Sequence, residues 1–317
     1  MTKWHGQARS LSVVSINLSR IFCLSIFLLL SCASDQKRIT DIQPAALSLW
    51  QIDHEDAQVY LLGSVHALKP EHYPLPISIE EAFTASDNAV FEIDLAKLSS
   101  YEIALVMQAL STFPRPRSLE SELSQSTLTL LSEYLKRNDL KMASFSQFKP
   151  WRVSLQIALL EMSSFGYKTE LGIDQYFQDK ARVEGKPIYQ LENFREQIAL
   201  LASDSIELQD LSLRATIIES ESVETMIREL VSAWQRGAAD EMYNLSTQDK
   251  DKYPELSNQM ERLLDKRNVK MAKTISQYLE QDGTYFVVVG ALHMGGPMGL
   301  VKLLSKDYVV EQIYDTQ

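Results

Sequence analysis

The chain has 317 residues, of which 45% are hydrophobic and 23% charged, and its formal net charge is −11. A chain of this length can bury one large core or two modest ones, and its acidic balance argues against nucleic acid or anionic lipid as the main partner. The two cysteines, Cys23 and Cys32, lie near the start, which excludes disulfides and thiolate chemistry in the remainder of the chain.

The first 31 residues have the pattern of an export signal. Lys3, Arg9 and Arg20 form a cationic region without an acid. The apolar stretch 21–30 (IFCLSIFLLL) follows, and it is too short for a comfortable membrane span. The next residues, LLSC ending at Cys32, resemble a bacterial lipobox, in which the cysteine becomes the lipid-modified N-terminus.

The lipobox predicts a lipid-anchored protein that faces the periplasm of a bacterial cell envelope. Ala33, and not an acid, follows Cys32, and by resemblance to lipoprotein sorting signals this favours the outer membrane. The alternative is an ordinary cleaved signal with a leftover cysteine. The predicted organisation is a signal peptide over 1–31, a polar tether over 32–45 and a folded domain over 46–317.

The first elements of the domain are β-strands. Two apolar runs, LSLWQID and AQVYLLG, flank the polar residues 54–56 and predict a β-hairpin. A short helix is expected over 79–86, because Ser78 and Glu81 have the spacing of a capping box. The run NAVFEIDL, residues 88–95, predicts the next buried strand.

A large helical region follows. Helical periodicity dominates residues 100–165, and its last helix has Pro150 in its first turn. The next helix is closed by Gly185 and followed by a strand entered through Pro187. Residues 194–282 are again mostly helical in pattern.

The end of the chain returns to alternating strands and helices. Gly283 is the expected C-cap of the last long helix, and it is followed by a strand (TYFVVVG), a helix (PMGLVKLLSKD) and a strand (YVVEQI). This order predicts an α/β fold, in which a central mixed sheet carries a large helical insertion in the middle of the chain.

The pattern Gly-x-x-His follows two of the predicted strands, as GSVH at 63–66 and GALH at 290–293. With 11 glycines and 5 histidines, the composition predicts well under one such pair by chance. In open α/β sheets, ligands bind beyond the carboxyl ends of strands, and a glycine there permits close approach. We therefore expect His66 and His293 to meet at one site. The alternative is two histidines that only hydrogen-bond their own loops.

Two acids interrupt the predicted strand VFEIDL, and they would cost several kcal/mol unless paired or bound to a cation. Glu92 is the preferred third metal ligand beside His66 and His293, and Asp94 is the second choice. Two histidines and one carboxylate suit a catalytic divalent ion, which would activate water for amide or ester hydrolysis. Glu92 could instead be the general base, and the sequence leaves this open.

Other polar residues are weaker candidates. Arg267 and Asn268 lie in the stretch ERLLDKRNVKMAK, whose pattern is also that of an ordinary solvated helix face. Glu192 follows another predicted strand and is a candidate for positioning the substrate or a site residue. His72 is a low-ranking candidate, and Ser64 is expected to point away from His66. The chain has no Gly-x-Ser-x-Gly, His-Glu-x-x-His, Walker or dinucleotide-binding motif.

Four blocks of the sequence resemble the TraB/GumN family, whose animal relatives are the Tiki metalloproteases. The resemblance runs from about residue 46 to residue 313, and the ordered set of blocks is more specific than one Gly-x-x-His motif. The blocks are YLLGSVHALKPEHYPLPISIEEAFTASDNAVFEIDL, GIDQYFQDKARVEGKPIYQLENFREQIALL, RNVKMAKTI and GTYFVVVGALHMGGPMGLVKLL.

The resemblance implies an α/β fold of the group that includes erythromycin-esterase-like and ChaN-like proteins, with the active site at the strand ends. The Tiki pattern of two Gly-x-x-His motifs and a glutamate matches His66, His293 and Glu92. The matching RN block makes Arg267 and Asn268 site members, and Arg267 would hold a substrate carboxylate or stabilise an oxyanion.

The activity that the resemblance implies is metal-dependent proteolysis with manganese, cobalt or zinc. Its substrate, a peptide or a small molecule, does not transfer from the family. The contrasting interpretation, by analogy with the ChaN-like relatives, is a non-catalytic lipoprotein that binds a metal or haem. A third interpretation is an interaction protein whose site has lapsed.

Replacing Cys32 with serine should release the protein from membranes, because the thiol that would carry the lipid is lost. Cell fractionation followed by immunoblotting measures this. Cys23→Ser, which changes the other cysteine of the same leader, should leave the protein in the membrane fraction. Persistent anchoring of the Cys32→Ser protein would contradict the lipobox interpretation.

Overall fold

The computed structural model describes residues 45–248 and 252–315. The predicted signal peptide, Cys32 and all of the predicted tether except Ala45 lie outside the described residues. Within the described part of the chain, no helix is both long enough and apolar enough to cross a membrane.

The strands of the described chain form one six-stranded mixed sheet. Their bounds are β1 (Ala45–His54), β2 (Ala57–Ser64), β3 (Asn88–Phe91), β4 (Ile188–Gln190), β5 (Gly283–Gly290) and β6 (Val310–Asp315). Their order across the sheet is β4-β3-β5-β2-β1-β6. The hairpin of β1 and β2 is the one that the sequence predicts.

Helices cover both faces of this sheet and fill the middle of the chain. They are α1 (Ile77–Ala85), α2 (Ser100–Ser111), α3 (Leu119–Glu122), α4 (Gln125–Arg137), α5 (Pro150–Ser164), α6 (Ile173–Glu184), α7 (Phe194–Leu201), α8 (Ile206–Glu219), α9 (Val223–Gln235), α10 (Ala239–Thr247), α11 (Ser257–Met260), α12 (Lys266–Leu279) and α13 (Leu300–Leu304). A π-helical turn, Glu261–Asp265, joins α11 to α12. The predicted α/β class, a mixed sheet with a helical middle, is confirmed.

The strand directions place four carboxyl ends at one edge. β5 pairs in parallel with both β2 and β3, and β3 pairs in parallel with β4. β1 runs antiparallel to its neighbours β2 and β6. The residues that follow β4, β3, β5 and β2 therefore leave the sheet side by side, where ligands bind in open α/β sheets.

The core lies on both faces of the sheet, because side chains alternate along each strand. On β5, Phe286 and Val288 pack on one face with apolar residues of α1, α6 and α9. Val287 and Val289 pack on the other face with residues of α12 and α13. Two further apolar clusters lie among the helices of the insertion.

Three predicted boundaries are wrong. Helix α1 begins at Ile77, directly after Pro76 in the cap position, so Ser78 is already inside its first turn and does not cap it. Helix α12 ends at Leu279, and Gly283 instead opens β5 with a φ of 119°, a conformation that favours glycine.

The third wrong boundary is the end of β3. The strand ends at Phe91 and not at residue 95, and its ladders with β4 and with β5 both end at this residue. Asp94, beyond the strand, accepts the Ala96 N–H and forms an ion pair with Arg182 at 2.7 Å. Glu92 and Asp94 therefore do not share one face of a strand, and they serve different parts of the structure.

Replacing Phe286 with alanine should lower the free energy of unfolding by about 3–5 kcal/mol, the usual cost of truncating a buried phenylalanine. Phe286 is fully buried, and its ring lies 5.3 Å from that of Phe83 and 4.9 Å from that of Phe177. As a control, Tyr101→Ala removes a side chain that is 71% exposed and should cost less than about 0.5 kcal/mol. Urea denaturation measures both, and equal losses would contradict the assigned core.

Candidate active site

Polar side chains follow four neighbouring parallel strands at the carboxyl edge of the sheet. In spatial order, Glu192 follows β4, Glu92 follows β3, His293 follows β5 and His66 follows β2. Each lies within three residues of its strand, so a rigid element positions each side chain. Four of the residues that the sequence singles out thus lie along one edge.

Three of these side chains surround Gly290, the last residue of β5. A methyl group on Gly290 would stand 3.2 Å from Glu92 Oε1, 3.3 Å from His66 Nε2 and 3.6 Å from His293 Cδ2. The structure therefore brings together the three residues proposed as metal ligands. Gly290 also fits the expected role of a glycine that permits close approach, since the site leaves little room for a side chain.

His66 is oriented by an acid that the sequence analysis missed. Its Nδ1 donates to Asp174 Oδ2 at 2.6 Å, and Ser64 Oγ donates to Asp174 Oδ1 at 2.8 Å. Because a carboxylate only accepts, Nδ1 carries a proton and Nε2 is the nitrogen that faces Gly290. Ser64 does not point away as expected, since it reaches the same carboxylate as His66.

His293 is buried and oriented by Asn268. The amide nitrogen of Asn268 donates to the Met298 carbonyl at 2.8 Å, so its oxygen faces His293 Nδ1 at 2.5 Å. The His293 Nδ1 therefore carries the proton. Burial, and then the nearby Arg267 cation, lower the pKa of His293 to about 3, although Glu92 opposes this. At neutral pH the ring is uncharged, which is the form that binds metals.

Arg267 lies between two acids in the interior. Its Nη2 donates to Glu92 Oε2 and to Glu192 Oε2, both at 2.6 Å, and its Nε donates to Glu192 Oε1 at 2.9 Å. Its Nη1 donates to the Leu263 carbonyl at 2.9 Å. The side-chain amide of Gln197 donates to both Glu92 Oε2 and Glu192 Oε2. One guanidinium and one amide thus hold the buried carboxylate of Glu92 and the partly buried carboxylate of Glu192 side by side.

The carboxylate of Glu92 is held in its ionised form. Burial by itself would raise the pKa of Glu92, but the Arg267 cation, the two histidines and the Gly290 N–H lower it to about 2. The Gly290 N–H donates to Glu92 Oε1 at 2.7 Å. This hydrogen bond also fixes the carboxylate over the end of β5.

Arg267 and Asn268 do not lie on a solvated helix face, because both are buried. They occupy the first turn of α12, immediately after the π-helical turn, and such turns occur frequently at functional sites. Arg267 holds Glu92 and Glu192 and also lines the cleft, so the expected contact with substrate stays a prediction. Asn268 orients His293.

Two candidates lie outside this site. Asp94 pairs with Arg182, as described above. The ring of His72 accepts the Lys69 N–H at 2.9 Å and stacks on Tyr167, so it stabilises its own loop. Neither side chain lines the cleft at Gly290.

Sequence reasoning missed Asp174 and Gln197. Both lie within the block GIDQYFQDKARVEGKPIYQLENFREQIALL, which carries the family resemblance. Nothing in the local pattern separates them from ordinary helix residues, because Asp174 lies in the first turn of α6 and Gln197 lies within α7. Their partners are 108 and 105 residues away in the chain.

The donor set fits a divalent cation in chemistry and in charge. Glu92, Glu192 and Asp174 contribute three carboxylates against the single guanidinium of Arg267, so two negative charges are in excess, apart from the imidazoles. In the present conformation, however, no group of three or more His, Cys, Asp or Glu side chains among the described residues has the geometry of a metal site. Glu92 Oε2 faces Arg267 and Gln197, and its Oε1 accepts the Gly290 N–H.

The site opens into a cleft of about 770 Å³, including its mouth. Its polar lining residues are Ser64, His66, Glu92, Arg267 and His293, which we call the floor, and apolar residues of the same two loops line it beside them. The side chain of His66 is 25% exposed, whereas that of Glu92 is 5% exposed. The histidine of the first motif is therefore the part of the floor that a ligand reaches most easily.

In the metal-free protein, His293 should make the free energy of unfolding about 2 kcal/mol lower at pH 5 than at pH 8. A histidine in the unfolded chain takes up a proton below about pH 6.5. Folded His293, with its pKa lowered to about 3, does not, so acid favours the unfolded state. The lowered pKa of Glu92 changes the free energy of unfolding mainly below the usual glutamate pKa of 4.5, so it contributes little between pH 5 and pH 8.

Denaturation curves at both pH values, in the presence of a chelator, measure this effect. The His293→Asn protein cannot take up that proton, so it should lose this part of the pH dependence. An unchanged pH dependence in the variant would show that His293 titrates normally in the folded state.

The chain is similar to known proteins and to one family profile. Two relatives, each named Uncharacterized protein YbaP, come from Escherichia coli (strain K12) and Shigella flexneri. Each is 23% identical over 251 residues, which cover 77% of this chain and 87% of the relative. No solved structure matches the chain significantly. The sequence profile of the TraB/PrgY/gumN family matches residues 48–312, including both Gly-x-x-His motifs, so the chain belongs to the TraB/PrgY/gumN family.

Proposed function

We propose that the protein is a metal-dependent hydrolase of the peptidase type, anchored by a lipid on Cys32 and facing the periplasm. The observation that carries this proposal is the convergence of His66, His293 and Glu92 around Gly290. Two imidazoles and a carboxylate at one point are the ligand types of catalytic divalent sites. Manganese, cobalt and zinc are the candidate ions.

The surroundings of both histidines support a metal-binding role. Ligand histidines commonly donate their second ring N–H to a carboxylate or carbonyl oxygen, which fixes the ring orientation. His66 has Asp174 in this position and His293 has Asn268. The excess of two carboxylate charges around the floor is also what one divalent ion would balance.

In this proposal His66 and His293 would hold the ion, and Glu92 would be a third ligand through Oε1 or would act beside it. When bound, a divalent ion lowers the pKa of water and polarises a carbonyl group. Arg267 keeps Glu92 ionised and in place, and Asp174 and Asn268 keep the two rings oriented. The burial of Glu92 and His293 limits the access of bulk water to the floor.

A second candidate is a lipoprotein that holds a metal or haem without turnover. The contacts of Glu92 favour it, because this carboxylate accepts hydrogen bonds from Arg267, Gln197 and Gly290. These bonds stabilise the ionised form, and a carboxylate stabilised in that way is a weak general base. A measurement of substrate turnover therefore distinguishes the hydrolase from the non-catalytic lipoprotein, whereas a measurement of metal binding does not.

Metal binding should be lost when either histidine is replaced. A chain that starts at Ala33 contains the whole described fold, so it can be stripped of metal and titrated calorimetrically with manganese, cobalt and zinc. We expect about one ion per parent chain and binding at least about tenfold weaker in His66→Ala and in His293→Ala. His54→Ala is the matched control, because His54 lies in the hairpin, away from the cleft.

If either site variant bound metal as the parent does, the proposal that both histidines share one metal site would be wrong.

With metal bound, mass spectrometry of a peptide mixture should show cleavage products that are absent with Glu92→Gln. Metal binding without any cleavage would favour the second candidate.

A further inference from the structure

The cleft above Gly290 is chemically asymmetric. Besides its polar floor, the cleft is lined by a set of apolar side chains from the helical middle of the chain, which we call the aliphatic wall. It consists of Met162, Ile227, Leu230, Val231, Met242 and Leu264. All six are buried, and none carries a charge or a strong hydrogen-bonding group. A ligand that reaches the floor must therefore place part of itself against hydrocarbon.

The middle of the wall is attached to the first Gly-x-x-His motif. Trp234 lies one turn beyond Leu230 on α9, and its Nε1 donates to the Gly63 carbonyl at 2.7 Å. The Trp234 carbonyl accepts the Ser48 hydroxyl at 2.9 Å. These two bonds fix α9 to the ends of β1 and β2, so the wall keeps its distance from the floor.

A second part of the wall is attached just beyond the other motif. Met242 lies on α10, where Asp240 accepts the Gly296 N–H at 2.8 Å and pairs with Lys302 at 3.1 Å. A methyl group on Gly295 would stand 2.1 Å from the Ala239 carbonyl, so the loop after His293 packs directly on the start of α10. Only glycine permits this contact.

The third part of the wall comes from α5, and the chain after this helix pairs with the loop of the first motif. Lys168 and Leu68 exchange two backbone hydrogen bonds, at 2.9 and 3.2 Å. The Ile173 N–H donates to the Val65 carbonyl at 3.0 Å. Five of the six wall residues thus come from three helices, α5, α9 and α10, that are bonded to the chain around a site histidine, and Leu264 comes from the π-helical turn Glu261–Asp265.

We propose that the aliphatic wall is a side-chain pocket that accepts a bulky aliphatic side chain of a peptide substrate. It would hold that side chain beside the group that the polar floor acts on. This inference rests on the proposed function and adds the substrate class to it. Burial of apolar surface stabilises such a side chain, whereas a charged one would lose hydration without a partner. The flexible Met162 and Met242 would adapt to different aliphatic shapes.

The two methionines of the wall also report on the pocket directly. Protein labelled with ¹³C in the methionine methyl groups can be titrated with N-acetyl-leucine amide and, separately, with N-acetyl-aspartate amide, in the presence of a chelator. The Met162 and Met242 signals are assigned from the Met162→Leu and Met242→Leu proteins. Met271, fully buried on the opposite face of the sheet, is the internal control.

We expect leucine amide to shift the Met162 and Met242 signals in a saturable way and to leave Met271 unchanged. Aspartate amide should bind at least about tenfold more weakly. Equal responses to the two amides, no response to either, or an equal response at Met271 would overturn the pocket.

Two variants of α9 form a matched pair. Leu230→Phe fills part of the cleft and should abolish the shifts. Met226→Phe changes a buried residue one turn earlier that does not line the cleft, and it should keep them. If Leu230→Phe does not fold, Val231→Ile adds a single methylene group to the wall and should weaken the leucine response. Retention of the full response in a folded wall variant would contradict the proposal.

The failure of this inference and the failure of the proposed function are distinguishable, because the amides are titrated in the presence of a chelator and their binding does not require a metal. Binding of leucine amide without binding of metal would support the aliphatic pocket and contradict the metal-dependent hydrolase. Binding of metal without a response to leucine amide would support the metal site and contradict the pocket.

Discussion

The buried contact of Arg267 with Glu92 and Glu192 is the interaction on which the site depends. It joins the first turn of α12 to the ends of β3 and β4, which meet only in the folded chain. Removing one partner of such a buried pair commonly costs about 3–5 kcal/mol, because the other charge is left uncompensated. Since Glu92 also accepts the Gly290 N–H, this network sets the position of the carboxylate at the end of β5.

The two histidines have equivalent positions in sequence and different surroundings in space. His66 is partly exposed and paired with the carboxylate of Asp174, whereas His293 is buried and paired with the neutral amide of Asn268. Both rings keep a proton on Nδ1 and turn the other edge toward Gly290. The two Gly-x-x-His motifs therefore orient their rings in the same way, although one ring is paired with a carboxylate and the other with a neutral amide.

The helical insertion does more than cover the sheet. Helices α5, α9 and α10, or the chain that follows them, are bonded to the backbone next to the two motifs, through Lys168, Trp234 and Asp240. The Lys168 contact is a backbone pair and the Trp234 contact is a buried hydrogen bond, whereas the Asp240 carboxylate is exposed. Together these contacts attach the helices of the wall to the loops of the floor.

Much of the fold could be predicted from local pattern. Strands, helices and their order follow from apolar periodicity, and the positions of Pro150, Gly185 and Pro187 mark boundaries correctly because each acts on its own backbone. The errors at Ser78, at Gly283 and at the end of β3 share a cause. Each boundary depends on what the segment packs or pairs with, and this is not a local property.

The sequence by itself determined the family, the α/β class and the presence of His66, His293 and Glu192 just beyond strand ends, because strand direction and glycine position are encoded locally. Only the tertiary structure decided that Glu92 and not Asp94 faces the histidines, since the choice depends on a strand that stops at Phe91. It also decided which groups hold the site together. The partners of Glu92 and His66 are 175 and 108 residues away, and no local pattern encodes contacts over such separations.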